Sequence, residues 1–410
     1  MKNYSAMISS FYEKIIGSSP VKNNQQKILC VGLTCLDIIQ TCNSFPIEDS
    51  DTRCVDYRWQ RGGNASNNCT VLSKLGTQVE FLGTLGAGNH SKFIRDDMIK
   101  HGIDYSHCPV IEGVDIPTST VILNLQTGSR TILHYNPNLP ELTVEDFEKL
   151  NLSDYSWVHF EGRNIPRVLG MMQVIENYND KIKLTKPDHL PITISVELEK
   201  THVELLDLLP YADVAFISKD FACSRGFNNM SETIRNIARD VKSGATIICA
   251  WGDRGAMART PNGTIVQSPA FPPPQIVDSL GAGDTFTAAI LHCLNFVKLR
   301  DHSKKIDQKK QDNENNKNMV TDENREMNKN ENIVGDNEIV EASQKSLIEK
   351  QTRIEHNYNI ESLEYSETDF INNSVLHAAV TFACRTAGAK IGFKGYEGFQ
   401  RICLDFLDDL

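Results

Sequence analysis

The chain is expected to form an α/β domain on a central, largely parallel sheet flanked by helices, with a small β-sheet projecting from it as a lid. Three observations carry that expectation. Short apolar runs alternate with helix-compatible segments along most of the length, as repeated βα units require. Two regions break the alternation: residues 52–59, and residues 118–125 turning through Gln126-Thr127-Gly128-Ser129 into residues 130–135. They read as a separate antiparallel piece. Finally, Val277-Asp278-Ser279-Leu280-Gly281-Ala282-Gly283-Asp284-Thr285-Phe286 ends a loop and opens a helix, a place where backbone N–H groups gather toward an anion.

Taken in order, residues 27–32 form a buried first strand and residues 67–75 the helix after a Gly-rich turn. Further strands are expected at 79–82, 157–160, 192–196, 214–217 and 246–250, with helices at 168–178 and 232–241 between them. Helices also follow Asp284 and span residues 373–389, the latter rich in Ala. Residues 1–26 include Tyr12, Glu13 and Lys14 and lack a continuous hydrophobic block, so they read as a flexible tail rather than a secretory signal. From 299 to 366 the composition turns to Lys, Asn, Glu, Asp and Gln, with no Pro, Cys, Phe or Trp. Such a stretch buries too little apolar surface to offset its ordering entropy, and is expected to be a disordered polar insertion with a weak helix around 337–354. The domain itself is thus drawn over 27–298 and 367–410.

With 410 residues, a net charge of −11 and no apolar run of membrane-spanning length, the chain disfavours nucleic acid and membrane as partners. A nucleotide in a local pocket remains compatible with that charge. Eleven cysteines include no Cys-x-x-Cys pair, and they read as reduced, small buried hydrophobes. The histidines show no metal-ligand spacing; His159, between Val158 and Phe160, reads as a strand residue.

The chemistry concentrates at Asp284. Gly281 and Gly283 permit close backbone approach to a bulky anion, and the start of the helix presents unpaired N–H donors and the positive end of a dipole. A carboxylate among such donors is either a helix cap or a catalytic base. A second constellation is Asp37 after the first strand, expected at the carboxyl end of the sheet where α/β folds bind ligands, with Arg61-Gly62-Gly63-Asn64-Ala65-Ser66-Asn67. Asn64 and Asn67, three residues apart, share a side if a helix begins there. One Asp and two Asn supply the mixed donors and acceptors that hold several hydroxyls of a sugar; capping by Asn64 and a plain turn at Gly62-Gly63 are the bland alternatives.

No P-loop pattern occurs. Instead Ala250-Trp251 runs into Gly252-Asp253-Arg254-Gly255, a tight turn beside which a ribose or phosphate fits, and Ala270-Phe271-Pro272-Pro273-Pro274 enters the Gly-Ala-Gly-Asp loop as a stiff extended segment. Arg130, at the start of a lid strand, has the reach to neutralise charge on a transferring phosphoryl group, or is simply a solvated strand arginine.

Gly63-Asn64-Ala65 and residues 278–286 are the paired signatures through which the chain resembles the ribokinase-like carbohydrate kinases. Similar blocks follow in order at 29–33, 58–68, 160–164, 195–200, 217–220 and 270–286, covering nearly all of 27–398 apart from the insertion. They look like the branch of the family that phosphorylates fructose. That resemblance implies a ribokinase-like fold and ATP-dependent transfer to the 1-hydroxyl of D-fructose, with Mg2+ as the counter-ion of ATP and K+ as an activator. It places Asp37, Gly63, Asn64 and Asn67 on the ketose, Arg130, Gly252, Asp253, Arg254, Gly255, Gly281, Ala282 and Gly283 on ATP, and Asp284 as general base. It also implies a cytoplasmic homodimer clasped through the lid sheets, with Asp49 approaching the partner's sugar. A kinase for another sugar or a nucleoside is the near alternative, and a weakly active sugar-responsive regulator the distant one. The chain departs from the family in three places. The Asn-x-x-Glu motif of many relatives is replaced by Ser218-Lys219-Asp220-Phe221, Thr287 stands where an Asn is common, and the 252–255 turn is less acidic than expected.

Overall fold

The computed structural model describes residues 26–186, 188–330 and 368–397, the last eighteen residues of the second span as backbone only. The expectations of an N-terminal tail and of a helix at 337–354 therefore lie outside the described residues, apart from Gln26.

In chain order the elements are β1 (Lys27–Val31), β2 (Cys35–Cys42), β3 (Asp56–Gly62), α1 (Asn64–Lys74), β4 (Val79–Leu82), β5 (Leu85–Gly86), α2 (Ser91–Lys100), β6 (Val110–Ile111), β7 (Thr118–Asn124) and β8 (Arg130–Tyr135). There follow α3 (Val144–Phe147), β9 (Tyr155–Glu161), α4 (Ile165–Thr185), β10 (Thr193–Leu198), β11 (Val214–Ile217), α5 (Lys219–Ser224), α6 (Met230–Ile237), β12 (Thr246–Ala250), β13 (Ala256–Arg259) and β14 (Ile265–Ser268). Two long helices, α7 (Ala282–Asn330) and α8 (Asn373–Lys390), complete the chain.

The main sheet has eight strands in the order β14-β13-β12-β11-β10-β9-β1-β4. From β4 to β12 the pairings are parallel; β13 and β14 close one edge antiparallel. Every residue of β9 and β10 is buried, because helices cover both faces and the strands read as near-continuous apolar runs. One apolar layer packs α1, α7 and α8 against the sheet, and another packs α4 and α6 on the opposite side. Several polar groups in this interior are paired: Trp157 donates to Ser195 at 2.8 Å, and Lys298 donates to two backbone carbonyls and Thr193.

The projecting sheet has four strands, ordered β3-β2-β7-β8. The expected pieces at 118–125 and 130–135 form its β7–β8 hairpin, and β3 starts four residues later than expected. β2 is a strand the sequence did not announce: Asp37 lies within it, not on a loop leaving β1. Three intervening residues suffice to redirect the chain after β1, and β2 then pairs with both β3 and β7. The inner face of this sheet buries Ile39, Val121 and Leu123 against Leu280, which precedes α7. The lid is thereby packed directly on the loop that opens α7.

α7 also departs from expectation. It does not stop near 299, where the composition becomes polar, but continues to Asn330. Between Thr285 and Asn330 there is neither Gly nor Pro to break it. His302 and Lys309 anchor its first polar turns by binding the backbone carbonyl and the carboxylate of Asp188. The remainder of the expected insertion, 331–366, lies outside the described residues.

Candidate active site

The cleft forms where β10, β11 and β12 end, between the first turns of α1 and α7. Asn64, Glu197, Glu199, Ile217, Ala250, Gly283, Asp284 and Thr287 all line it. These are the carboxyl ends of parallel strands, as the position of a ligand site in an open α/β sheet requires.

Asp284 sits in the first turn of α7. Its Oδ2 accepts a 2.7 Å hydrogen bond from Nδ2 of Asn67, which α1 carries in its own first turn. Burial, followed by the nearby Glu197 carboxyl, pushes the Asp284 carboxyl well above the ordinary aspartate range, while the Asn67 amide opposes that rise. Asn67 is 5% exposed, and its carbonyl oxygen has no hydrogen-bond partner among the described residues. An acceptor left free beside the carboxylate suits a substrate hydroxyl.

Of the two glycines, Gly281 is the one that geometry demands. Gly281 has φ +77°, and a Cβ there would collide with the buried hydroxyl of Tyr396, whereas the Cα of Gly283 faces open space. The loop before them is fixed by Asp278, whose Oδ2 binds Nη2 of Arg58 and the backbone N–H of Gly395, both at 2.9 Å. Lys390 of α8 donates to the carbonyls of Asp278 and Leu280. The turn before Asp284 is therefore held from behind by β3, α8 and the turn that follows α8.

On the opposite wall, Gly63 caps α1 at φ +96°, where a Cβ would strike the carbonyl of Leu33. Asn64 turns away from Asn67: its Nδ2 donates to Glu197 at 2.6 Å and to Glu199 at 2.7 Å. Glu197 is pushed up to about 8 by burial and then by Glu199. Glu199 is lowered: burial opposes ionisation, but Lys200, bonded at 2.6 Å, and the Asn64 amide outweigh it. One proton is thus held on the first carboxyl while the second is charged. His159 lies beneath, 3.8 Å from Glu197, and burial drives it down to about 3, so it is neutral.

Asp37 is 6% exposed and lies against Gly62, whose missing side chain makes room for it. Burial raises its carboxyl to about 6, with the thiol of Cys35 and the hydroxyl of Ser119 pulling the other way. Arg130 is exposed at the start of β8 and donates to the hydroxyl of Ser279 at 3.4 Å, joining the lid to the loop before α7. The Gly252-Asp253-Arg254-Gly255 turn follows β12, whose Ala250 lines the cleft. There Gly252 has φ +55° with open space beside it, and Gly255 has φ +81° in contact with the backbone of Ser268. Asp49 lies in the exposed turn between β2 and β3, at φ +60°.

The structure thus joins Asn67 to Asp284 and places Asn64 and Gly283 in the same cleft. Asp37 and Asp49 lie on the projecting sheet and its loop. Sequence reasoning assigned no role to Glu161, Glu197, Glu199, Lys390 or Tyr396. The two carboxylates at the ends of β9 and β10 carried a signal: a Glu closing an otherwise apolar strand run. Glu161 receives the N–H of Leu33 at 2.9 Å and fixes the chain as it leaves β1.

The pfkB family carbohydrate kinase profile matches residues 25–296. The chain belongs to that family. Mouse ketohexokinase is 45% identical over 271 residues, 66% of this chain and 90% of the relative. Ribokinase of Arabidopsis thaliana is 25% identical over 285 residues, 66% of this chain and 71% of the relative. Among solved structures, ribokinase from Giardia lamblia aligns with a TM-score of 0.66 at 14% identity, covering 94% of this chain and 99% of that one. Arabidopsis ribokinase complexed with ribose and ATP aligns with a TM-score of 0.54 at 18% identity, covering 68% and 90%. At these identities the structural matches establish the ribokinase fold.

As a pfkB carbohydrate kinase the chain takes ATP as its phosphoryl donor. No helix among the described residues is long and apolar enough to cross a membrane.

Proposed function

We propose that the chain is a ketohexokinase, transferring the γ-phosphoryl group of ATP to the 1-hydroxyl of D-fructose. The observation that carries the chemistry is the Asn67-held carboxylate of Asp284 at the open N-terminus of α7; the mouse relative's name supports the choice of sugar. In this reading Asp284 accepts the proton of the attacking hydroxyl, and the first-turn N–H groups around Gly281, Ala282 and Gly283 stabilise charge on the γ-phosphoryl group. Asp37, Gly63 and Asn67 face the ketose, with Asn64 setting the Glu197–Glu199 wall. Arg130 closes over the phosphates from the lid, and the 252–255 turn lies along the nucleotide.

Mg2+ enters with ATP, and the donor set fits a hard cation, because the charged Glu199 carboxylate lines the cleft. Bound there, it would offset negative charge on the phosphates. Potassium as an activating ion rests on the family resemblance.

Two further parts of the reading concern the assembly. The outer face of the projecting sheet leaves Tyr57, Trp59, Leu133 and Tyr135 more than 40% exposed. A second copy of the chain covers it, forming a homodimer that brings Asp49 toward the partner's sugar. A cytoplasmic location agrees with ten cysteines that form no disulfide among the described residues. The test is a coupled ADP-release assay with fructose, ribose and adenosine. Fructose is expected to give the highest kcat/KM, and a preference for ribose or adenosine would replace the substrate assignment. Light scattering that finds a monomer would remove the dimer.

A further inference from the structure

Behind the catalytic loop lies a second, half-open cavity of about 430 Å³, lined by β3, α1, α2 and residues 394–397. A volume of this size accommodates a small-molecule ligand. Five Lys and Arg side chains line it against two carboxylates, Asp97 and Glu397. Three of the cations are matched: Arg58 with Asp278, Arg61 with Asp97 at 2.8 Å, and Lys394 with Asp56 at 2.6 Å.

Lys74 and Lys100 are different. Neither forms an ion pair among the described residues; burial and then Lys100 depress the Lys74 ammonium, with Asp97 and Glu397 opposing. Beside them, two donors, Nε of Arg58 and Nε2 of Gln60, are buried without a hydrogen-bond partner among the described residues. Each such donor carries an uncompensated desolvation cost. Two converging ammonium groups and two orphaned N–H donors around one cavity share a single remedy, an anion with several acceptor oxygens.

We propose that this cavity binds a small phosphorylated anion, separate from the catalytic cleft, with Lys74 and Lys100 as its charge partners and Arg58 and Gln60 as its hydrogen-bond donors. The site adjoins the catalytic loop, since Arg58 also holds Asp278 and Tyr396, another lining residue, packs on Gly281.

The test uses the full chain with inorganic phosphate as probe. A saturating non-hydrolysable ATP analogue fills the catalytic anion site, and radiolabelled phosphate binding is followed by equilibrium dialysis. About one analogue-resistant phosphate per chain is expected. Affinity should fall by about tenfold or more in the Lys74→Ala/Lys100→Ala double variant and be retained in Lys74→Arg/Lys100→Arg. Thermal melting of each variant confirms folding, and sugar kinase activity without added phosphate should be unchanged, which separates this site from the catalytic one. Absence of analogue-resistant binding, or binding that survives the double alanine change, would overturn the proposal.

Discussion

The side-chain amide of Asn67 donates to the carboxylate of Asp284 across 2.7 Å, tying the first turn of α1 to the first turn of α7. Those two turns are separated by more than two hundred residues of sequence and by two different glycine-rich signatures. The bond favours the charged form of a carboxylate that burial disfavours.

Removing it with Asn67→Ala should raise the Asp284 carboxyl further. Because a general base works only when deprotonated, the acid limb of kcat/KM should move to higher pH. Turnover at neutral pH should fall by about tenfold, in line with losing one hydrogen bond to a charged group. A pH–rate profile on fructose checks the direction; an unmoved acid limb would detach Asn67 from the base.

Glu197 gives a prediction for stability. Its carboxyl rises on folding from the ordinary 4.5 to about 8, so across that interval the folded chain holds a proton that the unfolded chain releases. Stability contributed by this group is present below the unfolded value and is lost as pH rises through the folded one, at up to roughly 1.4 kcal/mol per pH unit. Glu197→Gln should remove that part of the decline, so its advantage over the parent chain grows between pH 5 and 8, about the span of the shift. Denaturant titrations at several pH values measure it, and parallel curves for the two chains would contradict it.

Much of the fold was legible because its signals are local. β11 and β12 begin and end where their apolar runs do, and the Ala-rich α8 starts at the expected Asn373. Asp284 could be placed at a helix start because Gly281 and Gly283 precede an apolar helical stretch. Long-range arrangements were less legible. β2 escaped notice because its parallel pairing with β7 depends on a strand far along the chain, and the continuation of α7 depends on contacts with Asp188. Asn64 was read with Asn67 as a sugar-facing pair. Its bonds to Glu197 and Glu199 depend on the position of β10, which no spacing near residue 64 encodes.

Gly281→Ala should impair ATP use more than sugar use. The new methyl group would meet the Tyr396 hydroxyl at a backbone φ of +77°, a conformation costing a non-glycine residue about 1 kcal/mol or more. The loop must shift to relieve both. KM for ATP should rise several-fold with KM for fructose little changed, measured by varying each substrate in turn. An equal rise in both constants would place Gly281 away from the phosphates.

The central claim is that Asp284 is the base, and Asp284→Asn tests it most directly because the side chain keeps its shape and its neighbour Asn67. Fructose and ATP binding, measured by calorimetry, should persist, while fructose-dependent ADP release falls by roughly 10²-fold or more. Turnover close to that of the parent chain would contradict the account.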